Sequence, residues 1–313
     1  MDLSILIPVY NWNITLLLRK ILDEINGFSL DSRVEIIVLD DCSSAEDILL
    51  DNEKFIVENQ HSYLHYSRLD RNTGRSVVRN ILTEQAQGEF FLFLDCDVLP
   101  DSECFIRDYL EHVHLNDHDV ICGGRSYQTR ILQGTEYDYY EYFGNKKEVK
   151  SAEVRNAMPW RHILTSNVMV RKSVYRAVPF NEQFIGYGYE DIEWGIRLAK
   201  QGEILHIENT ASHLGLISKA TAFEKMRQAV PNYLLLRRLY PAAFAVATVG
   251  NLAQTLTILP EKVLTALDRF FAQAFLNNAG SGIVAFILFQ LNYSVLLAKE
   301  LRKEMRHHDR TIP

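Results

Sequence analysis

Short apolar runs alternate with amphipathic stretches through the first hundred residues. Leu3 to Val9 is an apolar run closed by Pro8-Val9 and short enough for a buried strand. Leu16, Leu17, Ile21, Leu22 and Ile25 follow at helical spacing. A second apolar run over 34–39 ends in Asp40-Asp41, a helical stretch occupies 45–58, and a third strand is expected over 63–67. Residues 76–87 read as a helix with Gly88 as its C-cap. Phe90-Phe91-Leu92-Phe93-Leu94 is the most apolar strand and runs straight into Asp95-Cys96-Asp97. Further strands are expected after Asn167 and over 204–207. Strands alternating with helices predict the α/β class, with a doubly wound, mostly parallel sheet.

The pattern then changes. No charged residue occurs over 239–260, and none over 270–298. A boundary near 220 is expected, with a catalytic domain over 1–220 and a helical C-terminal region over 221–313. Those two stretches are charge-free but not greasy: Asn251, Gln254, Gln290, Asn292 and Ser294 interrupt them, so a bilayer span is marginal. Helices packed on the first domain, a homodimer contact and peripheral contact with a membrane surface are the other readings, the basic tail 299–313 favouring the last.

Composition narrows the class. Of 313 residues, 47% are hydrophobic and 23% charged, as in ordinary globular chains. With Lys plus Arg at 33 and Asp plus Glu at 40, the formal charge of −7 argues against a nucleic-acid partner. Cys42, Cys96, Cys104 and Cys122 are isolated, which fits a reducing, cytoplasmic setting and not a zinc or disulfide framework. The N-terminus lacks a basic n-region and reads as a strand, not a signal peptide.

In open α/β sheets, ligands bind beyond the carboxyl ends of the strands. Here those ends carry Tyr10-Asn11, Asp40-Asp41 and Asp95–Asp97. An Asp after a strand is often a cap or turn former. Two carboxylates at i and i+2 after five apolar residues are harder to explain so, because burying them is costly without a cation or donors. Magnesium or manganese holding a diphosphate is the economical reading. Glu190-Asp191 follows the glycine-broken Gly186-Tyr187-Gly188-Tyr189 and opens a helix, where acids also complement the macrodipole. Trp160 is a sugar-stacking candidate or a core residue, and Asn167 a hydrogen-bonding one. The aromatic, acidic segment 137–144 reads as a lid or a packed loop, and Lys146-Lys147 as a solvated face.

These motifs, in this order, resemble the family 2 glycosyltransferases of GT-A fold. They are Ile7-Pro8-Val9-Tyr10-Asn11, Asp40-Asp41-Cys42-Ser43, Arg71-Asn72-Thr73-Gly74 leading to Arg79-Asn80, Leu94-Asp95-Cys96-Asp97, and Gly186 to Leu198. The stretch 181–198 is similar to galactosyl- and N-acetylgalactosaminyl-type members, including chondroitin polymerases. The resemblance covers about 1–217 and implies inverting, metal-dependent transfer from a UDP-sugar to a hydroxyl of a glycan or lipid-linked glycan. It implies that Pro8, Val9, Tyr10, Asp40 and Asp41 meet the nucleobase, with Asp41 accepting from uracil N3–H, and that Asn11 also binds the nucleotide-sugar. Arg79, and less directly Arg75, would reach the diphosphate, the alternative for Arg79 being an ion pair to a neighbouring acid. Asp95 would hold the ribose, Asn167 donor hydroxyls, and Asp97 with His213 the metal, Mn2+ or Mg2+. Asp191 would be the base and Glu190 would orient acceptor or donor hydroxyls; Trp160 stands beside them as a candidate acceptor contact. Two other classes compete: a non-enzymatic sugar-nucleotide-binding subunit, and a haloacid-dehalogenase-type phosphatase using Asp95-Cys96-Asp97-Val98.

Overall fold

The computed structural model describes residues 1–115, 118–244, 248–278, 280 and 282–311. The chain forms two compact units. The first comprises Met1–Ile131, Asn145–Ile185 and Glu190–Gly215; the second comprises Leu132–Gly144, Gly186–Tyr189 and the chain from Leu216 onward. Two short segments inside the expected domain 1–220 therefore belong with the C-terminal helices. Aromatic packing accounts for this. Tyr139 is buried against Phe275 and Phe289, and the Tyr189 hydroxyl meets that of Tyr293.

In the first unit, β1 (Leu3–Val9), β2 (Val34–Asp40), β3 (Leu64–Arg68) and β4 (Phe90–Leu94) alternate with α1 (Thr15–Gly27), α2 (Glu46–Glu58) and α3 (Arg75–Gln85). There follow β5 (Val98–Pro100), α4 (Phe105–Leu115), β6 (Val120–Cys122) and β7 (Arg125–Ser126). After α5 (Asp138–Lys147), whose residues up to Gly144 belong to the second unit, and α6 (Ala152–Asn156) come β8 (Asn167–Arg171), α7 (Lys172–Ala177), α8 (Glu190–Leu198), β9 (Ile204–His206) and β10 (Ala211–His213).

The main sheet has the order β3-β2-β1-β4-β8-β6-β9. β1 to β4 pair in parallel, β8 runs against both β4 and β6, and β9 is parallel to β6. The sheet is mostly parallel, as expected. Its two faces separate by strand alternation. Leu3, Ile5, Ile7 and Val9 of β1 pack with α1 and α4 residues such as Leu18, Ile21 and Phe105. Leu6, Ile37, Phe91 and Phe93 pack on the other face with Val78, Leu82 and Trp194. β4 is the middle strand of the seven and all five of its residues are buried, so the acids after it sit at the centre of the sheet's edge.

A small second sheet, β5-β10-β7, brings His213 opposite Val98, the residue after Asp97. Strands of two or three residues carry no readable period, so this sheet was not expected.

The second unit contains α9 (Lys219–Gln228), α10 (Val230–Leu239), α11 (Thr248–Leu256), α12 (Glu261–Asn277) and α13 (Ile283–Thr311). Tyr139, Phe223, Phe275, Phe289 and Leu297 form its apolar core. The segment weighed as a lid is mostly helical, and Tyr139 is part of that core. α13 contains the one stretch among the described residues, Ile283–Arg306, long and apolar enough to cross a membrane, but half of its apolar window is buried inside the protein. Residues 312–313 of the expected tail lie outside the described residues.

Candidate active site

Both β1 and β2 leave the sheet through left-handed residues, Asn11 (φ 49°) and Cys42 (φ 63°). Such backbone is uncommon outside glycine and needs external support. Asn11 supplies it. Its backbone N–H donates to Ser43 Oγ (2.8 Å), and its Oδ1 accepts from the N–H groups of Ser44 (2.7 Å) and Ala45 (3.0 Å). Ala45 is the N-cap of α2 and offers no side-chain cap, so Asn11 caps that helix from another strand. Its side chain is thus part of the scaffold at the carboxyl ends of β1 and β2.

Asp41 is committed in the same way. One carboxylate oxygen accepts from Thr73 N–H (2.7 Å) and Thr73 Oγ1 (2.8 Å), the other from Gly74 N–H (2.9 Å). These are donors ahead of α3, where a carboxylate also complements the helix dipole. The uracil N3–H acceptor expected of Asp41 is thus largely spent on the 72–74 loop. Asp40 is sealed from solvent, with Oδ1 accepting from Ser43 N–H (2.6 Å) and Oδ2 without a hydrogen-bond partner. Pro8 is half-buried and Val9 buried, but the Tyr10 side chain is exposed, at 50%.

Arg79 is buried, at 2% exposure, and donates from Nη2 to Asp95 (2.6 Å). Its Nη1 stands 3.9 Å from Glu190, and Arg75 reaches the same Glu190 oxygen at 3.4 Å. The ion-pair alternative for Arg79 is the one observed: its guanidinium ties the end of β4 to the first turn of α8. A diphosphate contact by Nη2 would have to displace Asp95. Arg75 is the more exposed cation.

Beyond Asp95 the chain turns into β5, and Asp97 faces His213, with Oδ2 3.3 Å from Nε2. The Asp97 carbonyl also accepts from Leu214 N–H (2.8 Å). A Cβ on Gly215 would come within 2.3 Å of Asp97 Oδ2, so the carboxylate occupies space that only glycine leaves. Burial pushes the Asp97 carboxyl up, yet the charge and hydrogen bond of His213, with Arg125 and Arg75, hold it well below its usual range. An ionised carboxylate oxygen beside an imidazole nitrogen is a donor set suited to a divalent cation. Among the described residues no group of three or more His, Cys, Asp or Glu side chains converges to cage a metal. A cation held by Asp97 and His213 would draw its other ligands from substrate oxygens and water.

Asp191 is half-buried in the first turn of α8, with Oδ1 accepting from Ile192 N–H (2.8 Å). Burial, reinforced by the negative charge of Glu190, pushes its carboxyl up to about 7. An acid tuned to that range is suited to taking a proton near neutral pH.

Sequence reasoning missed a cluster beside His213. Arg125 donates to Glu148 (2.8 Å) and to Ser166 Oγ (2.8 Å), and Tyr127 OH donates to the same Glu148 oxygen (2.9 Å). The Tyr127 ring meets His213 edge-on at 5.7 Å. Burial opposes ionisation of Glu148, but Arg125 and His213 outweigh it and hold its carboxyl low. Glu148 follows Lys146-Lys147, so a solvated run disguised it, and Arg125 lies in a two-residue strand with no period to flag it.

Asn167 and Trp160 remain to be placed. Asn167 stands level with Leu94 in the β8–β4 register, near the right strand end, but its side chain is fully used. Its Nδ2 donates to the carbonyls of Gly124 and Asn209 (2.8 Å each), and its Oδ1 accepts from Tyr109 OH (2.6 Å). Asn167→Ala should cost about 2–4 kcal/mol of stability, since buried groups left unpaired cost ~1–3 kcal/mol each. Urea unfolding and donor calorimetry on one preparation should show that loss with nucleotide affinity unchanged. Trp160 lines a cavity with His118, Gly202 and Ile204. Its backbone also packs against α8, where a Cβ on Gly195 would come within 2.3 Å of the Trp160 carbonyl oxygen.

The profile of glycosyl transferase family 2 matches residues 4–177. YfnE, an uncharacterized glycosyltransferase of Bacillus subtilis, is 25% identical over 253 residues, covering 64% of this chain and 61% of that protein. Chondroitin synthase of Escherichia coli is 24% identical over 239 residues, 64% of this chain and 32% of its own. The chain thus spans less than two thirds of the length of these curated relatives. Among solved structures, residues 1–349 of TarS from S. aureus superpose with a TM-score of 0.52 at 18% identity, over 98% of this chain and 92% of that one. A mannosyltransferase from Pyrobaculum calidifontis, in complex with GDP-Man and Mn2+, gives 0.60 at 12% identity, over 97% and 87%. At those identities the likeness establishes the GT-A fold.

Proposed function

The chain belongs to glycosyl transferase family 2, and from that premise we propose that it transfers a sugar from a UDP-sugar to a hydroxyl of a glycan or lipid-linked glycan, with inversion at the transferred carbon. The observation that carries the reading is the arrangement of acids. Asp191 is raised to about 7, while Asp97, paired with His213, is held ionised. One group is made to accept a proton and the other to stay charged, a division of labour that separates a base from a cation ligand.

On this reading Asp191 takes the acceptor hydroxyl proton as the oxygen attacks the sugar carbon from the face opposite the departing diphosphate. Glu190, held by Arg75 and Arg79, orients sugar hydroxyls. Manganese or magnesium bound by Asp97 and His213 would neutralise charge on the leaving diphosphate, so no acid is needed for departure. The exposed Tyr10 ring at the end of β1 would lie on the base. Solved TarS in complex with UDP-GlcNAc supports a UDP-sugar donor. Arg75 is the better diphosphate candidate, because Arg79 is engaged by Asp95.

A pure binding subunit has no use for a carboxyl poised near 7, and a phosphatase reading leaves His213 and Asp191 without a task. Free thiols at all four cysteines support a cytoplasmic setting. For the C-terminal region, the buried half of α13 favours packing within its own unit over a span. Screening UDP-sugars for manganese-dependent UDP release, with and without glycan acceptors, tests the proposal. Acceptor-stimulated release is expected; release of phosphate from simple phosphomonoesters instead would reject it.

A further inference from the structure

Along β10, Ser212 and His213 point to opposite faces of the small sheet, and along β7 Ser126 and Tyr127 alternate in the same way. The two strands run in parallel, with Ala211 beside Arg125 and Ser212 beside Ser126, so Tyr127 follows on level with His213. Asp101 locks one face: its carboxylate accepts from the hydroxyls of Ser126, Thr210 and Ser212, at 2.6 Å each. On the other face the Tyr127 ring meets the His213 ring edge-on, 5.7 Å between centroids, and Tyr127 OH donates to Glu148 (2.9 Å). The same Glu148 oxygen accepts from Arg125 Nη1 (2.8 Å), while Arg125 Nη2 donates to Oγ of the buried Ser166 (2.8 Å). Glu148 follows Lys146-Lys147, yet its side chain is only 23% exposed. Arg125 holds it there, and it in turn holds the far end of Tyr127. Asp97, Arg125, Tyr127, Glu148, Ser166 and His213 all belong to the first unit.

We propose that Glu148 is a positioning residue for the cation site, fixing the Tyr127 ring against His213 so that the imidazole keeps facing Asp97. The inference rests on the reading of Asp97 and His213 as cation ligands. An imidazole ligates through one nitrogen along a fixed direction in the ring plane, so a rotated ring no longer presents its lone pair. His213 Nε2 stands 3.3 Å from Asp97 Oδ2, and the edge-on Tyr127 ring limits how far the imidazole can turn. A tyrosine steadies a neighbour only when its own ring is steadied. The bond from its hydroxyl to Glu148 does this, and the Arg125 ion pair keeps Glu148 in place to receive it. Glu148 itself is not placed as a ligand; it acts through Tyr127.

The test compares wild type, Glu148→Ala and Tyr127→Phe, which removes a single oxygen and keeps the question open if Glu148→Ala does not fold. Three quantities are measured on each: manganese affinity in the presence of UDP by electron paramagnetic resonance, UDP affinity without metal by calorimetry, and the His213 ring signals of the metal-free protein by NMR. Glu148→Ala should weaken manganese binding by roughly 10- to 100-fold while UDP affinity without metal stays within about twofold of wild type. Tyr127→Phe should move manganese binding the same way by less. Both variants should shift or broaden the His213 ring signals. On a His213→Ala background, Glu148→Ala should cost no further manganese affinity, because it acts through that imidazole. Unchanged manganese affinity, equal losses on both backgrounds, lost UDP binding without metal, or unmoved His213 signals each overturns the inference. A wild-type chain whose UDP complex holds manganese no more tightly than UDP alone overturns the metal reading instead, and the metal-free His213 signals then decide whether Glu148 positions that ring.

Discussion

Asp191→Asn should lower acceptor-dependent transfer by a factor of roughly 10²–10⁴ while leaving UDP-sugar affinity nearly unchanged. The amide keeps the volume of the carboxylate and can still accept from Ile192 N–H, so only the proton acceptor is lost. The wild-type rate should carry the same signature in its pH profile. Asp191 works as a base only when ionised, and burial together with Glu190 raises its carboxyl to about 7. The rate should therefore be flat above that pH and fall about tenfold per unit well below it, whereas a carboxylate with its ordinary value would give no break until far more acidic conditions. Stability should move the opposite way from a simple helix-terminus acid. A carboxyl raised in the fold is easier to ionise in the unfolded chain, so its charge weakens the folded state as pH rises from the unfolded value to the folded one. At pH 8 Asp191→Asn should raise the Tm, while loss of a dipole-stabilising acid would lower it. Near-normal turnover, or a lower Tm with full turnover, would remove Asp191 from the mechanism and leave Glu190 as the next candidate.

What the sequence made legible follows from how each residue does its work. The five apolar residues before Asp95 can only be a buried strand, so the placement of Asp95 and Asp97 at its carboxyl end was readable. His213 could be placed only by resemblance, because a three-residue strand has no measurable period, yet the β5–β10 pairing puts it against Asp97. Asn11, Asp41 and Asn167, expected as ligand contacts, hold backbone groups in the structure. Nothing in the sequence separates an amide that will face a ligand from one that will face two carbonyls, since the side chain and its position at a strand end are the same. Arg79 shows the same ambiguity resolved by burial: at 2% exposure beside Asp95, its guanidinium is part of the frame. The boundary near 220 marked a true change in composition, but no local pattern tells that 132–144 and 186–189 will find their apolar partners among helices a hundred residues further on.

Asp97→Asn should abolish metal-dependent transfer and weaken UDP binding in the presence of manganese, while UDP binding without metal changes little. The charge that a divalent cation neutralises on a leaving diphosphate is worth several kcal/mol, and each 1.36 kcal/mol is tenfold in rate, so a loss of at least about 10²-fold is expected. His213→Ala should reproduce the pattern with a smaller loss, since the carboxylate remains. Gly215→Ala provides an independent route to the same defect: its methyl would lie 2.3 Å from Asp97 Oδ2, and the carboxylate must swing away from His213 to make room. That variant changes no ligand, so reduced manganese affinity in Gly215→Ala ties the defect to where the carboxylate stands. The competing account treats Asp97 and His213 as an ion pair that only steadies the β5–β10 sheet. Because the folded Asp97 carboxyl is held low, such a pair contributes stability above the ordinary carboxylate range and loses it as the pH falls through the folded value. Under that account all three variants would lose Tm at neutral pH and keep their manganese response. Titrating manganese into UDP-release assays of the three variants alongside wild type separates the two, and an unshifted manganese midpoint in Asp97→Asn would end the metal assignment.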